Sequence, residues 1–334
     1  MPIIEDLLVT EYGSFLGLHG QRLRVRCDTT SNDAPLLHLR SVQVLTRSAS
    51  ISAAALAACC EAGIPVHFID PVEGNYASVI SPRLTTVIAT RRAQLDALHD
   101  ERGVAIAIGL GVGKIRSQAV NLRYLARHHS NEQANLLEAQ RDLLAYADKL
   151  ASHTAGQLED VRTQFMGIEG YCARIYWGAV SSLVPSSYGW EGRKGRGATD
   201  PVNSLLNYGY GILYGEVQNA LALAGLEPYA GLIHTDRPGK PSLTCDLVEE
   251  FRAPVVDRTV LGLLTRQFKV EFESDRRLTR DCRRNFAEHI LSRLRAQGTF
   301  DQKRLELRSI IQIQARNLAK AFRGESPYSA YTGG

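Results

Sequence analysis

The spacing of hydrophobic residues changes once along this chain. Up to about residue 85 they alternate in short runs, and from about Thr90 onward they recur every three or four residues. In the first part, segments 15–18 and 23–27 flank the turn His19-Gly20-Gln21 and predict a β-hairpin. Segments 41–45, 64–69 and 76–81 predict further strands, with Asp70-Pro71 and Gly74 turning the second of these into the third. Between them, Ser52 is expected to cap a short helix, AAALAACCEA, that Gly63 closes. In the second part, Leu158, Val161, Phe165, Ile168, Cys172, Ile175 and Ala179 fall on one face of a long amphipathic helix. Asp200-Pro201 starts the next helix and Gly225 ends it. Two more helices are predicted over roughly 278–295 and 303–323, and the polar tail GESPYSAYTGG is expected to be loose. The predicted class is α+β: a small N-terminal β-rich domain over 1–85, a larger all-α domain over 86–323, and a flexible tail over 324–334.

Composition narrows the possibilities only slightly. A chain of 334 residues that is 44% hydrophobic and 22% charged is an ordinary globular protein with room for two domains. No apolar run approaches the ~18 residues of a membrane span. The first residues carry acids where a secretion signal carries bases, which argues for a cytoplasmic protein without a membrane partner. None of the six cysteines forms a C-x-x-C pair, so free thiols are expected rather than a structural zinc site. The net charge of +4 is unevenly spread. Residues 1–150 hold 15 basic and 15 acidic side chains, whereas residues 274–334 hold 13 and 6. Arginine outnumbers lysine 32 to 7, a bias that suits bidentate phosphate contact.

The candidate chemistry lies in two places. Glu169 sits beside the apolar seam of the predicted helix in FMGIEGYCARIYW. His234 is followed by Asp246 and Glu249 in GLIHTDRPGKPSLTCDLVEEFR, where Ser242 is placed as the cap of a helix with Pro254 beyond its end. Asp246 and Glu249 are three residues apart and share a helix face. Each residue also has an ordinary explanation: Glu169 as a rim carboxylate paired with Arg162 or Arg174, His234 as a satisfied polar group, and Asp246 as an acid favoured near a helix N-terminus. Together they describe a carboxylate–histidine–carboxylate site for Mg²⁺ or Mn²⁺, able to do Lewis-acid work on phosphate esters. The loop PSSYGWEGRKGRGATDP sets Arg193, Lys194 and Arg196 among glycines and aromatics, a composition suited to tracking phosphates and stacking bases. Two other motifs fail. The glycine-rich run 109–114 has Ile108 where a phosphate loop needs its first glycine and Ile115 where it needs Ser or Thr, and there is no G-x-S-x-G elbow.

Across almost its whole length the chain resembles the CRISPR-associated adaptation integrases, the metal-dependent nucleases that insert new spacers into CRISPR arrays. The resemblance is carried by MGIEGYCARIYW, DPVNSLLNYGYGIL, GLEPYAGLIHTDRPGKPSLTCDLVEEFR, the RRAQ at 91–94, the GKIRSQ at 113–118 and the closing IQIQARNLAKAFRGESPYSAY; Ser117 stands where asparagine is expected. It implies that Glu169, His234 and Glu249 are metal ligands, with Asp246 as an accessory acid. It also implies a homodimer, assembly with a small ferredoxin-like adaptation subunit into a heterohexamer, and action on double-stranded and branched DNA, the protospacer and the CRISPR repeat. The basic residues expected to meet that DNA are Arg91, Arg92, Lys114, Arg193, Lys194, Arg196, Arg237 and Lys240. The competing expectations are a general repair nuclease of branched DNA with the same site, and a catalytically idle DNA-binding scaffold.

Overall fold

The computed structural model describes residues 4–27, 30–70, 74–79, 81, 88–152, 156–195 and 197–333. The N-terminal part runs, in chain order, through β1 (Asp6–Val9), β2 (Phe15–His19), β3 (Arg22–Cys27), β4 (Thr30–Pro35), β5 (Ser41–Val44), β6 (Ser50–Ile51), α1 (Ala53–Ala62), β7 (Val66–Asp70) and β8 (Gly74–Val79). It forms two four-stranded sheets, ordered β1-β5-β7-β8 and β4-β3-β2-β6. In the first sheet β1, β5 and β7 are parallel and β8 is antiparallel. The predicted hairpin is present, with Leu18 opposite Leu23 and Gly20 at φ 58° in the turn. The helix signals hold as well: the Ser52 side chain accepts from the Ala55 amide, and Gly63 ends α1 at φ 70°.

One small core, built around Leu16, Leu23, Val42, Val44, Ala55 and Val66, joins the sheets to α1. The other face of the β1-β5-β7-β8 sheet is polar but equally buried, with Gln43 and His67 almost inaccessible, because the helical part covers it. This is why β5 is buried along its whole length instead of alternating.

The helical part comprises α2 (Ile88–Ala97), α3 (Glu101–Ala126), α4 (Gln133–Ala151), α5 (Leu158–Ser181), α6 (Pro201–Leu223), α7 (Ser242–Phe251), a π-helical stretch (Arg252–Asp257), α8 (Arg258–Thr265), α9 (Arg280–Arg295), a hairpin of β9 (Gln297–Phe300) and β10 (Lys303–Glu306), and α10 (Leu307–Phe322). The failed phosphate-loop run 109–114 lies inside α3. Asp200 caps α6 through the Asn203 amide, with Pro201 in the first turn. Sheet and helices are joined by an ion ladder. Asp6 of β1 meets Arg295 at 2.9 Å and Arg308 at 3.0 Å, and Arg308 reaches Glu216 of α6 at 2.8 Å.

Three expectations are corrected and a fourth is qualified. The helix placed at 303–323 begins only at Leu307, because 297–306 is a hairpin. Its turn residues Asp301 and Gln302 adopt φ 46° and 62° without a glycine to announce them. Pro254 does lie just past Phe251, the last residue of α7, but it does not stop the chain there. The π-helical stretch carries the chain through it into α8, and its carbonyl accepts from Arg293. Ser242 is the first residue of α7 rather than its cap. The tail is not loose: Tyr331 is 4% exposed and stacks on Phe251, the Tyr328 hydroxyl donates to Glu250 at 2.5 Å, and Ala330 fills space that only a glycine at 113 leaves open. A polar composition hid this because the tail's anchors are two tyrosines and a backbone amide.

Candidate catalytic site

The site begins with a backbone constraint. Between α6 and α7 the chain folds tightly against the start of α7, and any side chain at Gly231 would sit 2.6 Å from the Ser242 Cβ and 3.0 Å from Asp246 Oδ2. The Ser242 hydroxyl accepts from the Gly231 amide and lies within hydrogen-bond distance of the Tyr229 carbonyl and the Asp236 carboxylate. This closeness lets the fully buried Asp246 accept from the amides of Leu232, Ile233 and His234 at 2.6, 3.1 and 2.9 Å. A carboxylate holding three N–H donors is itself an acceptor, so the 2.7 Å contact to His234 Nδ1 makes that nitrogen the donor. In the neutral imidazole this tautomer leaves the lone pair on Nε2, the arrangement typical of a ligand histidine.

The two glutamates arrive from different helices. Glu169 on α5 and Glu249 on α7 both bind the ammonium of Lys114 on α3, which lies 3.1 Å from Glu249 Oε2 and directly against Glu169 Oε1. Arg252, one turn beyond Glu249, donates to its other oxygen at 2.7 Å. Burial pushes the Glu249 carboxyl up, but the charges of Arg252 and Lys114, with the hydrogen bond from Lys114, outweigh it and hold the group down at about 2. The carboxylate is therefore ionised at any working pH.

Beside this pair is a cavity of about 190 Å³, bounded by Lys114, Glu169 and Glu249 on one side and by Arg193, Tyr210 and Arg252 on another. Arg252 stacks over the Tyr210 ring at 4.0 Å, and Arg193 approaches the same ring at 5.4 Å. Tyr210 is fixed from below by Asp257, which accepts from its hydroxyl at 2.5 Å and from Tyr176 at 2.8 Å. The arginine–tyrosine wall continues into an open groove of about 980 Å³ that reaches Tyr76 on β8 and Lys240 before α7.

Some expected residues are placed differently. Arg162 and Arg174, the anticipated partners of Glu169, are used elsewhere: Arg162 holds the Leu232 carbonyl and Glu159, and Arg174 lies over Tyr171. Lys114, expected on a DNA-contacting surface, is buried between the two glutamates because α3 packs against both α5 and α7. Arg193 is drawn inward by Asn203 and Asn207 of α6 instead of ranging freely. Lys194 is exposed and paired with Glu191, and Arg196 lies outside the described residues. Arg92 and Arg237 are exposed, while Arg91 is half-buried. Sequence reasoning missed Arg252 and Tyr210. Arg252 was legible as a cation three residues after Glu249, whereas nothing local marked Tyr210.

Among the described residues no three His, Cys, Asp or Glu side chains close into a ready coordination sphere. The donor chemistry nonetheless suits a hard divalent ion: two carboxylates already share one cation, the Lys114 ammonium, and an imidazole with a free Nε2 stands near Glu249.

The chain is similar to known proteins over most of its length. The family model described as CRISPR associated protein Cas1 matches residues 7–291. A protein of Archaeoglobus fulgidus named CRISPR-associated endonuclease Cas1 1 is 34% identical, over 97% of this chain and 98% of its own. Among solved structures, a casposase bound to integration product superposes with a TM-score of 0.84 at 22% identity, covering 98% of this chain and 93% of that one. A Cas6-RT-Cas1–Cas2 complex gives 0.78 at 22%, over 98% of this chain and 36% of that one. With a family model spanning most of its length and a relative of this identity over nearly all of it, the chain belongs to the Cas1 family of CRISPR-associated proteins.

Proposed function

We propose that this protein is a metal-dependent DNA integrase and endonuclease of CRISPR adaptation, joining the 3′-hydroxyl of a protospacer end to a phosphodiester at the edge of a repeat. The observation that carries the reading is the convergence of Glu169 and Glu249, from two helices, on one cation position beside a cavity walled by guanidinium groups.

In this reading Glu169, Glu249 and the Nε2 of His234 hold Mg²⁺ or Mn²⁺. The ion, when bound, polarises a phosphoryl oxygen and eases loss of a proton from a nearby hydroxyl or water. Asp246 keeps His234 in the tautomer and orientation that presents Nε2. Arg252 and Arg193 neutralise the phosphodiester, and the lowered pKa of Glu249 keeps its carboxylate charged throughout. Water at the same position gives hydrolysis, so substrate placement decides between strand transfer and cleavage.

The relatives' names and the complexes cited above support DNA and a Cas2-type subunit as partners, and the same reading puts the protein in the cytoplasm. The residue 1–85 sheets are proposed as the surface of a homodimer within a heterohexamer, each subunit keeping its own site. The test is incubation of the full-length protein and its small partner with Mn²⁺, a 3′-hydroxyl duplex and a repeat-bearing plasmid. Joined products at the repeat edge are expected. Cleavage without repeat preference would favour a repair nuclease, and no metal-dependent reaction at all would leave only a DNA-binding scaffold.

A further inference from the structure

The cavity holds one polar group that the reading above does not use. Gln118 lies one helical turn beyond Lys114 on α3, so both face the same way. It lines the cavity together with Glu169, Glu249, Arg193 and Arg252. Its side chain is deeply buried at 8% exposure, and among the described residues nothing hydrogen-bonds its Oε1. A buried carboxamide oxygen without a partner is costly, so one kept at a reaction cavity calls for a donor that arrives from outside.

The surrounding charges identify that donor. The charged groups that line the cavity call for charged partners, the carboxylates a cation and the guanidiniums phosphate oxygens, and the Tyr210 hydroxyl is already given to Asp257. Gln118 Oε1 is a neutral acceptor, which suits a neutral hydroxyl. The cavity shares Arg193, Tyr210 and Arg252 with the larger groove, giving a strand end a way in.

We propose that Gln118 is a further site residue, whose carboxamide oxygen accepts the hydrogen bond of the attacking DNA 3′-hydroxyl and holds that oxygen toward the scissile phosphorus; the inference rests on this cavity being the reaction centre. Gln118 takes no proton. In the step it assists, the 3′-oxygen bonds to phosphorus as the acceptor strand's P–O bond breaks, and the proton lost by the 3′-hydroxyl is balanced by the one taken up by the leaving oxygen. A water nucleophile is smaller and can be held by other groups, so strand transfer depends on Gln118 more than hydrolysis does.

The experiment uses the full-length protein with Mn²⁺ and one DNA substrate that reports both reactions. Gln118→Met keeps the side chain's length without the acceptor. Strand transfer at saturating DNA is expected to fall about tenfold and hydrolysis by less than about threefold, with melting temperature unchanged, the difference being that of one oriented hydrogen bond. Proportional loss of both reactions, or loss of neither, overturns the proposal. A second measurement needs no variant. In EDTA the wild-type protein should bind a 3′-hydroxyl DNA end about two- to tenfold more tightly than the same end lacking that hydroxyl, and equal affinity overturns the proposal. Glu249→Gln separates the two levels of the argument. If it retains both reactions, the cavity is not the reaction centre and the functional reading falls as well. If it abolishes both while Gln118→Met leaves their ratio intact, only the role of Gln118 is lost.

Discussion

The Lys114 ammonium lies 3.1 Å from the Glu249 carboxylate while also binding Glu169, so one buried lysine is shared by two acids drawn from different helices. A divalent ion at the same carboxylates has to displace that ammonium. Lys114→Met is therefore expected to raise the Mn²⁺ affinity of DNA-free protein about tenfold, the equivalent of removing roughly 1.4 kcal/mol of competing interaction. Electron paramagnetic resonance titration of free Mn²⁺ reads this directly. An unchanged or weaker affinity would mean that Lys114 and the ion occupy different places.

His234→Ala should abolish strand transfer and cleavage yet leave DNA affinity within about twofold, because binding comes mainly from phosphate neutralisation. Asp246→Asn acts one step further back. It replaces an acceptor of three amides and one imidazole, and should weaken metal affinity about 10- to 100-fold. Calorimetric metal titration beside filter binding of DNA separates the two effects, and equal loss of metal and DNA binding would point to a structural histidine.

Salt dependence divides the basic residues. Lys194 and Arg237 are exposed and Lys240 lines the groove, whereas Arg193 is braced by two asparagines beside the cavity. Neutralising Lys194, Arg237 and Lys240 together should lower the slope of log K against log salt by up to about 3 units. Arg193→Ala should instead depress turnover more than affinity.

His67 gives a pH signature. Burial first, and then the charge of Arg308, bring its imidazole down to about 4, with Asp6 working in the opposite direction. The folded protein thus keeps His67 neutral, and the unfolded chain takes up a proton near its ordinary value of 6.5. Its stabilising contribution is complete above pH 6.5 and is lost as pH falls toward 4, at most on the order of 3 kcal/mol. Urea unfolding at pH 7 and pH 4.5 should show a smaller pH-dependent loss in His67→Gln than in the wild type.

Removing residues 326–334 should cost about 2–4 kcal/mol. It uncovers the Phe251 ring and strips the Tyr328 hydroxyl and Tyr331 amide from buried Glu250, the residue next to Glu249. A thermal melt would show it, and a melting temperature within a degree of full length would refute it.

The sequence displayed its periodic features well and its meeting points poorly. The amphipathic stripe of α5, the Ser52 and Asp200 caps and the Gly63 stop depend on neighbours within one or two turns, so they were legible. Glu169, His234, Asp246 and Glu249 could be named from type and spacing and, more firmly, from family resemblance. That Lys114 would stand between the two glutamates, and that Tyr210 would lie under two guanidiniums, depends on how α3, α6 and α7 cross. No local pattern records such crossings. The β9–β10 hairpin was missed for another reason: two non-glycine residues at positive φ leave no mark in the letters.

The ladder from Asp6 through Arg308 to Glu216 bears on how the molecule can move. Swivelling the sheet against the helices would strand at least one of these charges in a buried place without its counterion, a loss of about 3–5 kcal/mol. Tilted arrangements are thereby disfavoured, and sheet and helices turn as one piece. Whatever grips the strands then aims the cavity beside Glu169 and Glu249 directly, with no joint in between to absorb the rotation.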